Sequence, residues 1–367
     1  MTTLSESRTT GDFTGGWADV TDDRVGRPVN YWAWAGLTCL VFQIAVYIAW
    51  GISGEAVATP TGPTRVPDSM QNAATAMVAA GLAVTVAMVG WFVLRPALTE
   101  RRLPIDGVFL LALPTVAWQV VLPNYNQLTM LWNSHYANLG SWGPSIPGWL
   151  PPGGDQLAIP LLWLVAVVGG LVFPGIVVAN ALMSWIRRRS PEMGMVGLLA
   201  ITFGVLGALA LVAETLFLRA GVYSYAGGLR WLSLWGDAHH QLPVYQPVLL
   251  AATWTGFAAM RFFRNELGEI IPWRGLDRVH GSAPRRGIVR FAAVAGLMNF
   301  LAFLLWSVPT AALGVYADEF PVDVLERSYL TNGVCGPNTD YHCPGPDIPI
   351  PRPDSAYITP AGELARP

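Results

Sequence analysis

Residues 194–218 read GMVGLLAITFGVLGALALVAETLFL, an apolar run in which Glu214 is the only ionisable side chain. A helix of about 20 apolar residues is long enough to cross the hydrocarbon core of a bilayer. A charged side chain at the centre of such a helix costs roughly 2.5–3.5 kcal/mol on insertion scales, so intramembrane acids usually face a protein interior and serve a function. The run therefore predicts a membrane-spanning helix and marks Glu214 as the first candidate for chemistry. The structural alternative is a protonated Glu214 that hydrogen-bonds between helices.

The composition of the whole chain indicates the same class. Of the 367 residues, 13% are charged and 53% are apolar, whereas a soluble chain carries about 25% charged residues. Among the predicted spans, Gly107–Leu122 is the weakest. Pro114 should kink it, and it becomes longer only if Asp106 is included. The sequence predicts an all-α integral membrane protein, a bundle of about seven transmembrane helices. The predicted spans are Tyr31–Ile52, Ala73–Leu94, Gly107–Leu122, Ile159–Ile186, Gly194–Leu218, Val244–Met260 and Ile288–Val315.

The basic residues, all of them arginines, set the predicted orientation in the cell membrane. With the N-terminus inside, sixteen of the 22 fall in cytoplasmic segments, as the positive-inside rule requires. Losing the third span would place the cluster Arg187–Arg189 outside, so seven spans fit better than six. We expect residues 1–30 to be a disordered cytoplasmic leader without the features of a secretory signal. Residues 31–315 would form the transmembrane domain and residues 316–367 a Pro-rich extracytoplasmic tail.

The cysteines agree with this topology. Cys335 and Cys343 lie in the predicted extracytoplasmic tail, where a disulfide would persist, and two unpaired thiols are the alternative. Together with His342 they supply only three potential zinc ligands, whereas a structural zinc site normally needs four. Cys39, inside the first span, is interpreted as a small apolar residue.

Cofactor motifs are absent from the sequence. It contains no phosphate-binding glycine loop, dinucleotide fingerprint or nucleophile elbow, so we expect no cofactor. Five scattered histidines cannot build a di-iron cluster, and we expect no metal, although Asp237, His239 and His240 leave a mononuclear site open as an alternative. The basic loop 261–290 fits topology and anionic lipid better than nucleic acid.

Polar side chains gather in two segments on the same predicted side of the membrane. Residues 123–144 carry amides, a histidine and aromatics but no charged group. We expect an interfacial polar-aromatic helix here, between spans three and four. Its faces would carry Tyr125, Leu128, Trp132, His135 and Tyr136 on one side and Asn126 and Asn133 on another. Such a wall suits an apolar ligand with several hydroxyls, and an interfacial helix anchored by aromatics is the alternative.

The second segment follows Glu214 and contains Arg219, Tyr223, Tyr225, Arg230, Asp237, His239, His240 and Tyr245. Both segments could therefore meet over one cavity. Glu214 and Arg219 are five residues apart and do not share a helix face well, so the helix must end or bend between them if they pair.

Two motifs within these segments resemble a known family. The first is Asn124-Tyr-Asn126 with Trp132-Asn-Ser-His-Tyr136 and Gly140-Ser-Trp-Gly-Pro144. The second is Glu214-Thr-Leu-Phe-Leu-Arg219 with Gly221-Val-Tyr-Ser-Tyr225. Both are similar to the avermectin spirocyclase (AveC) family of actinobacterial membrane proteins, over the stretch from the first span to the seventh. The resemblance implies spiroketal formation on a polyketide macrolide in antibiotic biosynthesis, with dehydration of the ring in some members.

The site residues are assigned from the chemistry of this reaction. Spiroketal closure needs a general acid, a base and a negative or aromatic surface near an oxocarbenium-like cation. Glu214 is the candidate acid, Asp237 or His239 the candidate base, and His135 a further catalytic candidate. A hydrophobic polyketide-type substrate would be bound by Asn124, Tyr125, Asn126, Trp132, Asn133, Tyr136, Arg219, Tyr223 and Tyr225.

Two other functions fit the same residues. One is a membrane cyclase or hydratase that acts on an isoprenoid by acid-initiated chemistry. The other is a non-enzymatic permease for a hydrophobic metabolite, in which Glu214 couples transport to protons. The sequence leaves the oligomeric state open.

Overall fold

Long helices occupy every segment that the sequence predicts as a span. The computed structural model describes residues 28–336, 339, 341–345, 357–358 and 364–365. Residues 1–27 of the predicted leader and most of the Pro-rich tail therefore lie outside the described residues. The helices are α1 (Pro28–Ser53), α2 (Asp68–Thr99), α3 (Ile105–Asn124), α4 (Leu161–Arg189), α5 (Met195–Arg219), α6 (Tyr245–Phe262), α7 (Ala283–Gly314), α8 (Val322–Leu325) and α9 (Ser328–Thr331).

Six of these helices, α1 to α5 and α7, are long and apolar enough to cross a membrane. The chain is thus a mostly helical, multi-pass membrane protein, as predicted. Helix α6 covers the sixth predicted span and packs against α4, α5 and α7, but it does not meet the same test of length and apolarity. The predicted count of seven crossings is therefore not confirmed.

Proline explains where the long helices change geometry. A proline removes one ladder hydrogen bond and clashes with the preceding turn. In α3, which does include Asp106, the α-helix Ile105–Ala112 continues as a 3-10 helix over Leu113–Asn124, so the predicted distortion at Pro114 is present. Three other helices each contain a five-residue π turn that ends two residues before a proline and eases the same clash. These turns are Gly90–Leu94 before Pro96 in α2, Val168–Val172 before Pro174 in α4, and Phe303–Ser307 before Pro309 in α7.

Helices α1 and α7 cross in backbone contact. A Cβ at Gly36 would overlap the carbonyl oxygen of Ala292, and a Cβ at Gly296 would overlap the carbonyl oxygen of Trp32. Small residues at such positions let two membrane helices approach closely. This crossing holds the first and last long helices together.

Hydrogen bonds between loops define two ends of the bundle. At one, called here the Glu214 end, the loops 54–67, 125–160 and 220–244 meet residues 315–336. Its bonds run from Thr59 N to Asn138 Oδ1 (2.9 Å), from Asn133 N to Val222 O (3.0 Å) and from Ser134 N to Tyr329 O (2.9 Å). At the opposite, arginine end, Val29 N donates to Arg274 O (3.1 Å) and Arg261 Nε donates to Asp106 Oδ1 (2.7 Å).

The interfacial helix predicted between spans three and four is wrong. Residues 125–142 are irregular, apart from strand β1 (Leu131–Trp132), which pairs antiparallel with β2 (Tyr223–Ser224). The predicted helical faces therefore do not exist. Two other strand pairs are present: β3 (Ser233–Leu234) with β4 (Leu242–Pro243), and β5 (Tyr357–Ile358) with β6 (Leu364–Ala365). Short 3-10 turns lie at Gly143–Ser145, Gly154–Gln156, Arg230–Leu232, Ile271–Trp273 and Leu276–Arg278.

Candidate functional site

Glu214 lies inside the protein and is held by two phenols. Its side chain is on the last turns of α5 and the residue is only 6% exposed. The hydroxyl of Tyr223 donates to Oε1 at 2.7 Å and the hydroxyl of Tyr225 donates to Oε2 at 2.6 Å. Both carboxyl oxygens are therefore hydrogen-bonded within the protein, and the two tyrosines that the sequence singled out are brought to Glu214.

The chain reversal after α5 explains this arrangement. The helix ends at Arg219, and Gly221 takes a left-handed backbone (φ 68°) that turns the chain back. Strand β2 then pairs with β1, which fixes its direction. Because alternate residues of an extended chain share a face, Tyr223 and Tyr225 both turn toward the last turns of α5.

An aromatic cluster surrounds the phenol of Tyr223. Its ring centroid lies 4.9 Å from that of Trp132, 6.0 Å from that of Trp163 and 6.4 Å from that of Phe217, with edge-on or tilted planes. Trp132 and Trp163 are themselves 5.5 Å apart. Trp132 was predicted from the sequence to bind substrate, whereas Trp163 and Phe217 were missed because they lie within apolar runs that read only as membrane.

The two phenols stay neutral in this environment. Burial raises the pKa of Tyr223 and of Tyr225 well above the ordinary value, and the charge of Glu214 raises both further. Neutral phenols remain hydrogen-bond donors over the whole accessible pH range. The Tyr223–Glu214–Tyr225 chain therefore connects a carboxyl group to two hydroxyls that can each pass on a proton.

His239 forms a second polar centre with Asp323. The Nδ1 atom of His239 lies 2.6 Å from Asp323 Oδ2, and its backbone N donates to the same oxygen at 2.8 Å. Arg327 Nη2 donates to the other carboxylate oxygen at 2.7 Å. When Nδ1–H is donated to Asp323, the lone pair of Nε2 is left to accept a proton.

The charge of Asp323 is stabilised by this network. Partial burial alone would raise the pKa of Asp323, but hydrogen bonds from the backbone and ring of His239 and from Arg327 hold it well below the ordinary value. His240 lies against His239, with ring centroids 4.9 Å apart, and burial together with the neighbouring positive groups lowers its pKa. Sequence reasoning missed Asp323 because it is 84 positions from its partner.

Asp237 and Arg219 do not join either centre. The side chain of Asp237 is 88% exposed and lies 3.6 Å from Arg230, so His239 is the better placed of the two candidate bases. Arg219 lies over the ring of Trp235, with its Cζ atom 4.7 Å from the centroid. Arg219 thus stacks on an aromatic ring and, among the described residues, forms no ion pair with Glu214, in keeping with their poor spacing on α5.

The asparagines predicted to bind substrate form hydrogen bonds to backbone atoms that hold the irregular segment in shape. Asn124 Oδ1 accepts from the backbone N of Thr129 and of Met130, both at 2.8 Å. Asn126 donates to Ala311 O and Asn133 to Gly221 O. Side-chain amides that satisfy backbone groups in this way compete with helix formation, which is why the predicted helix is missing.

Three other predicted residues differ in their surroundings. The hydroxyl of Tyr125 donates to Pro147 O at 2.8 Å, and His135 is exposed at the surface, away from the buried carboxyl. Tyr136 is 5% exposed, and its hydroxyl is buried without a hydrogen-bond partner, as are Trp132 Nε1 and Ser224 Oγ. Buried polar atoms are nearly always hydrogen-bonded, so these three atoms are candidates to meet a polar ligand.

The cysteines of the tail are joined in a disulfide, Cys335–Cys343. This bond occupies two of the three potential zinc ligands. Within the described part of the chain, no group of three or more His, Cys, Asp or Glu side chains could hold a metal ion.

Comparison with known proteins identifies one family. The family model described as "Spirocyclase AveC-like" matches residues 100–330. The match confirms the resemblance seen in the sequence motifs, and it contains Glu214, both phenols and the His239–Asp323 pair. No curated protein and no solved structure matches the chain.

Proposed function

Because this chain belongs to the spirocyclase AveC-like family, we propose that it closes a spiroketal ring on a hydroxylated ketone of the polyketide type. Glu214 is the general acid. The observation that carries the proposal is the buried carboxyl with a phenol on each oxygen, beside an aromatic cluster and within the residues that the family model matches.

The proposed reaction removes one molecule of water and needs no oxidant. One hydroxyl of the substrate adds to the ketone to give a hemiketal. The hemiketal hydroxyl takes a proton and leaves as water, and its electron pair goes with it, so an oxocarbenium ion remains. A second hydroxyl attacks this ion from one face and loses a proton to a base, which forms the second ring and restores the proton balance.

The Tyr223–Glu214–Tyr225 chain supplies the proton in this scheme. Glu214 is enclosed by its partners, so its proton reaches the leaving hydroxyl through a phenol oxygen, while the phenol passes on its own proton. The chain then holds a carboxylate within the protein. General acid catalysis of this kind contributes about 10²–10⁴ in rate.

The aromatic cluster of Trp132, Trp163, Phe217 and Tyr223 stabilises the cation. Aromatic faces attract a positive charge by about 0.5–2 kcal/mol each, most strongly where water is excluded. Trp132 is 1% exposed and Tyr223 2% exposed, so the cluster offers a dry surface. The same rigid surface favours one approach of the second hydroxyl and thereby sets the stereochemistry.

His239 is the base that takes the last proton, and Asp323 is its positioning residue. In the neutral ring, donation from Nδ1 to Asp323 leaves the lone pair on Nε2 and fixes the plane of the ring. The unpartnered atoms Tyr136 Oη, Trp132 Nε1 and Ser224 Oγ bind the substrate's oxygens in this proposal.

The proposed topology has seven crossings, with the N-terminus cytoplasmic and the site on the outer side. The support is geometric: α1 begins at the arginine end, the loop after it lies at the Glu214 end, and residues 315–336 also meet the Glu214 end. An odd number of passages through the bundle fits this arrangement, and α6 supplies the seventh. The sixteen-to-six distribution of the 22 arginines and the Cys335–Cys343 disulfide fit the same orientation. Reporter fusions after Arg189 and after Pro367 should report opposite sides, and two cytoplasmic signals would contradict the topology.

Metabolite profiling of a deletion strain tests the function. We expect upstream assembly to continue, while the product shifts to the unclosed ketone, the wrong spiro epimer or a ring that retains a hydroxyl. The same closed product with unchanged stereochemistry would refute the cyclase. Normal synthesis with retention in the cell would instead assign a permease, and a missing terpenoid ring would assign the isoprenoid reaction.

A further inference from the structure

A cavity of about 730 Å³ lies at the arginine end of the bundle, far from the Glu214 end. It is formed where α3 and the start of α7 meet the loops 100–103 and 269–277. Its volume is in the range of small-molecule sites. Neither the proposed reaction nor the family match gives it a role.

The walls of this cavity are strongly cationic. Arg101, Arg102, Arg286 and Arg290 line it, against two carboxylates, Glu269 and Asp277. The arginines come from one loop and one helix that are distant in sequence. The fold therefore concentrates positive charge at one point of the surface.

Most of this charge is available to a ligand. Arg102 pairs with Glu100 at 2.8 Å on the surface, but the structure gives no carboxylate partner to Arg101, Arg286 or Arg290 within the described residues. Glu269 is occupied by its own loop, since its Oε2 accepts from Asn265 Nδ2 (3.0 Å) and Gly275 N (3.1 Å).

Arg290 is held in place for binding. Its Cζ atom lies 4.2 Å from the ring centroid of Trp273, and its Nε atom is buried without a hydrogen-bond partner. A guanidinium fixed by stacking loses less side-chain freedom when it binds, and its planar fork matches the oxygens of a phosphate group. Because the positive end of the α7 helix dipole, at Ala283 and Pro284, also faces the cavity, an anion is favoured further.

The remaining wall is apolar and reaches the lipid. Leu103, Val108, Leu111 and Phe291 line this side. Leu111 is 40% exposed on α3, a helix long and apolar enough to cross the membrane, so the cavity opens where headgroups meet acyl chains. A small soluble anion has no apolar part that could pack against this wall.

We propose that this cavity binds the phosphate group of an anionic membrane lipid, with the arginines on the headgroup and the apolar wall on the first carbons of the chains. Positive-inside charge bias alone places arginines on this side of the membrane. It does not account for a cavity that combines unpaired guanidiniums, a stacked Arg290 and an apolar opening to lipid.

Lipid binding to the full-length protein in detergent tests the proposal. Dioleoyl phosphatidylglycerol is titrated and counted by native mass spectrometry, with dioleoyl phosphatidylcholine as the zwitterionic control. We expect one saturable phosphatidylglycerol site whose affinity falls at least about tenfold in Arg286→Gln/Arg290→Gln, because charge-assisted bonds are lost. The matched control, Arg188→Gln/Arg189→Gln, removes the same charge from the same end outside the cavity and should change affinity by less than about twofold.

Further arms of the experiment guard against misfolding and identify the source of the phosphate. Arg101→Gln/Arg286→Gln alters two exposed side chains and should weaken binding even if loss of the Arg290 stack disturbs the fold. Retention of the lipid in millimolar inorganic phosphate supports a lipid ligand, whereas displacement assigns the site to soluble phosphate compounds. Absence of a saturable site, or equal losses in the cavity and control pairs, would overturn the proposal.

Discussion

Replacement of Glu214 by glutamine separates an acid from a structural hydrogen-bonding group. Glutamine has nearly the same size and keeps one carbonyl oxygen to accept from a phenol, while its amide group can donate to the other phenol oxygen. The two bonds to Tyr223 and Tyr225 can therefore be replaced in kind, and we expect membrane abundance to stay within about twofold, because each exchanged bond is worth only about 1 kcal/mol.

The expected effect on the reaction is much larger. An amide cannot deliver a proton, and loss of a general acid costs about 10²–10⁴ in rate, which corresponds to about 2.7–5.5 kcal/mol in the barrier. The assay compares conversion of the precursor that accumulates in the deletion strain by membranes with equal amounts of wild-type or variant protein. Thr202→Val is the matched control, because Thr202 is also buried on α5 but bonds only to its own helix, at Leu198 O.

A Glu214→Gln variant with activity within about threefold of the wild type, at equal abundance, would refute the reasoning. Glu214 would then be a hydrogen bond between parts of the bundle. Loss of abundance in both Glu214→Gln and Thr202→Val would show instead that α5 tolerates no substitution. The rate per molecule of remaining protein would then decide whether Glu214 acts as the acid.

Three further predictions test other parts of the structure. The double variant Tyr223→Phe/Tyr225→Phe removes both phenol oxygens and should lower the rate by about 10²-fold. In the control Tyr125→Phe, the lost hydroxyl donates only to Pro147 O, so the rate per molecule of protein should stay within about threefold. Equal losses in the two variants would argue against a proton chain. Asp323→Asn should lower activity and detach residues 315–336 in limited proteolysis at neutral pH, and it should differ least from the wild type in strong acid. In the wild type the pKa of Asp323 is depressed in the fold. Its contribution to the stability of the fold is therefore present above the unfolded pKa of about 3.9 and is lost as the pH falls through the folded value. A wild-type cleavage rate that stays the same on acidification would contradict this. Gly36→Val should abolish accumulation of folded protein, because its Cβ would overlap the backbone of α7, whereas Gly51→Val, at a position with open space, should accumulate normally in a blot of membranes.

The parts of the fold that the sequence could predict are those that depend on local hydropathy. Each long helix falls on a predicted span because about 20 apolar residues suffice to define one, and Glu214 was found because a lone charge stands out in such a run. Tyr223 and Tyr225 were named from their proximity in sequence. Their hydrogen bonds to the carboxyl depend on the turn at Gly221 and on pairing with Leu131–Trp132, which no local pattern shows.

The errors have equally physical causes. A periodicity argument assigned a helix to the segment 123–144, but Asn124 and Asn133 bind backbone atoms that a helix would use itself. Asp323 was missed because a pair 84 positions apart leaves no trace in spacing. Trp163 looks like any aromatic residue in a membrane helix until the fold places it beside Tyr223.

In the proposed reaction, Glu214 contributes more than any one aromatic ring to stabilising the cation. A carboxylate about 5 Å from a unit positive charge contributes about 3 kcal/mol at an effective dielectric of 20, whereas one aromatic face contributes about 0.5–2 kcal/mol. In this proposal Glu214 becomes the carboxylate only after its proton has left, so its attraction develops together with the charge on the substrate. An interaction that is stronger in the transition state than in the bound substrate raises the rate of the chemical step. The aromatic rings attract the cation from fixed positions, so in this proposal their larger contribution is to orientation. The edge-on contacts of Trp132 and Trp163 with Tyr223 fix the surface that the second hydroxyl approaches.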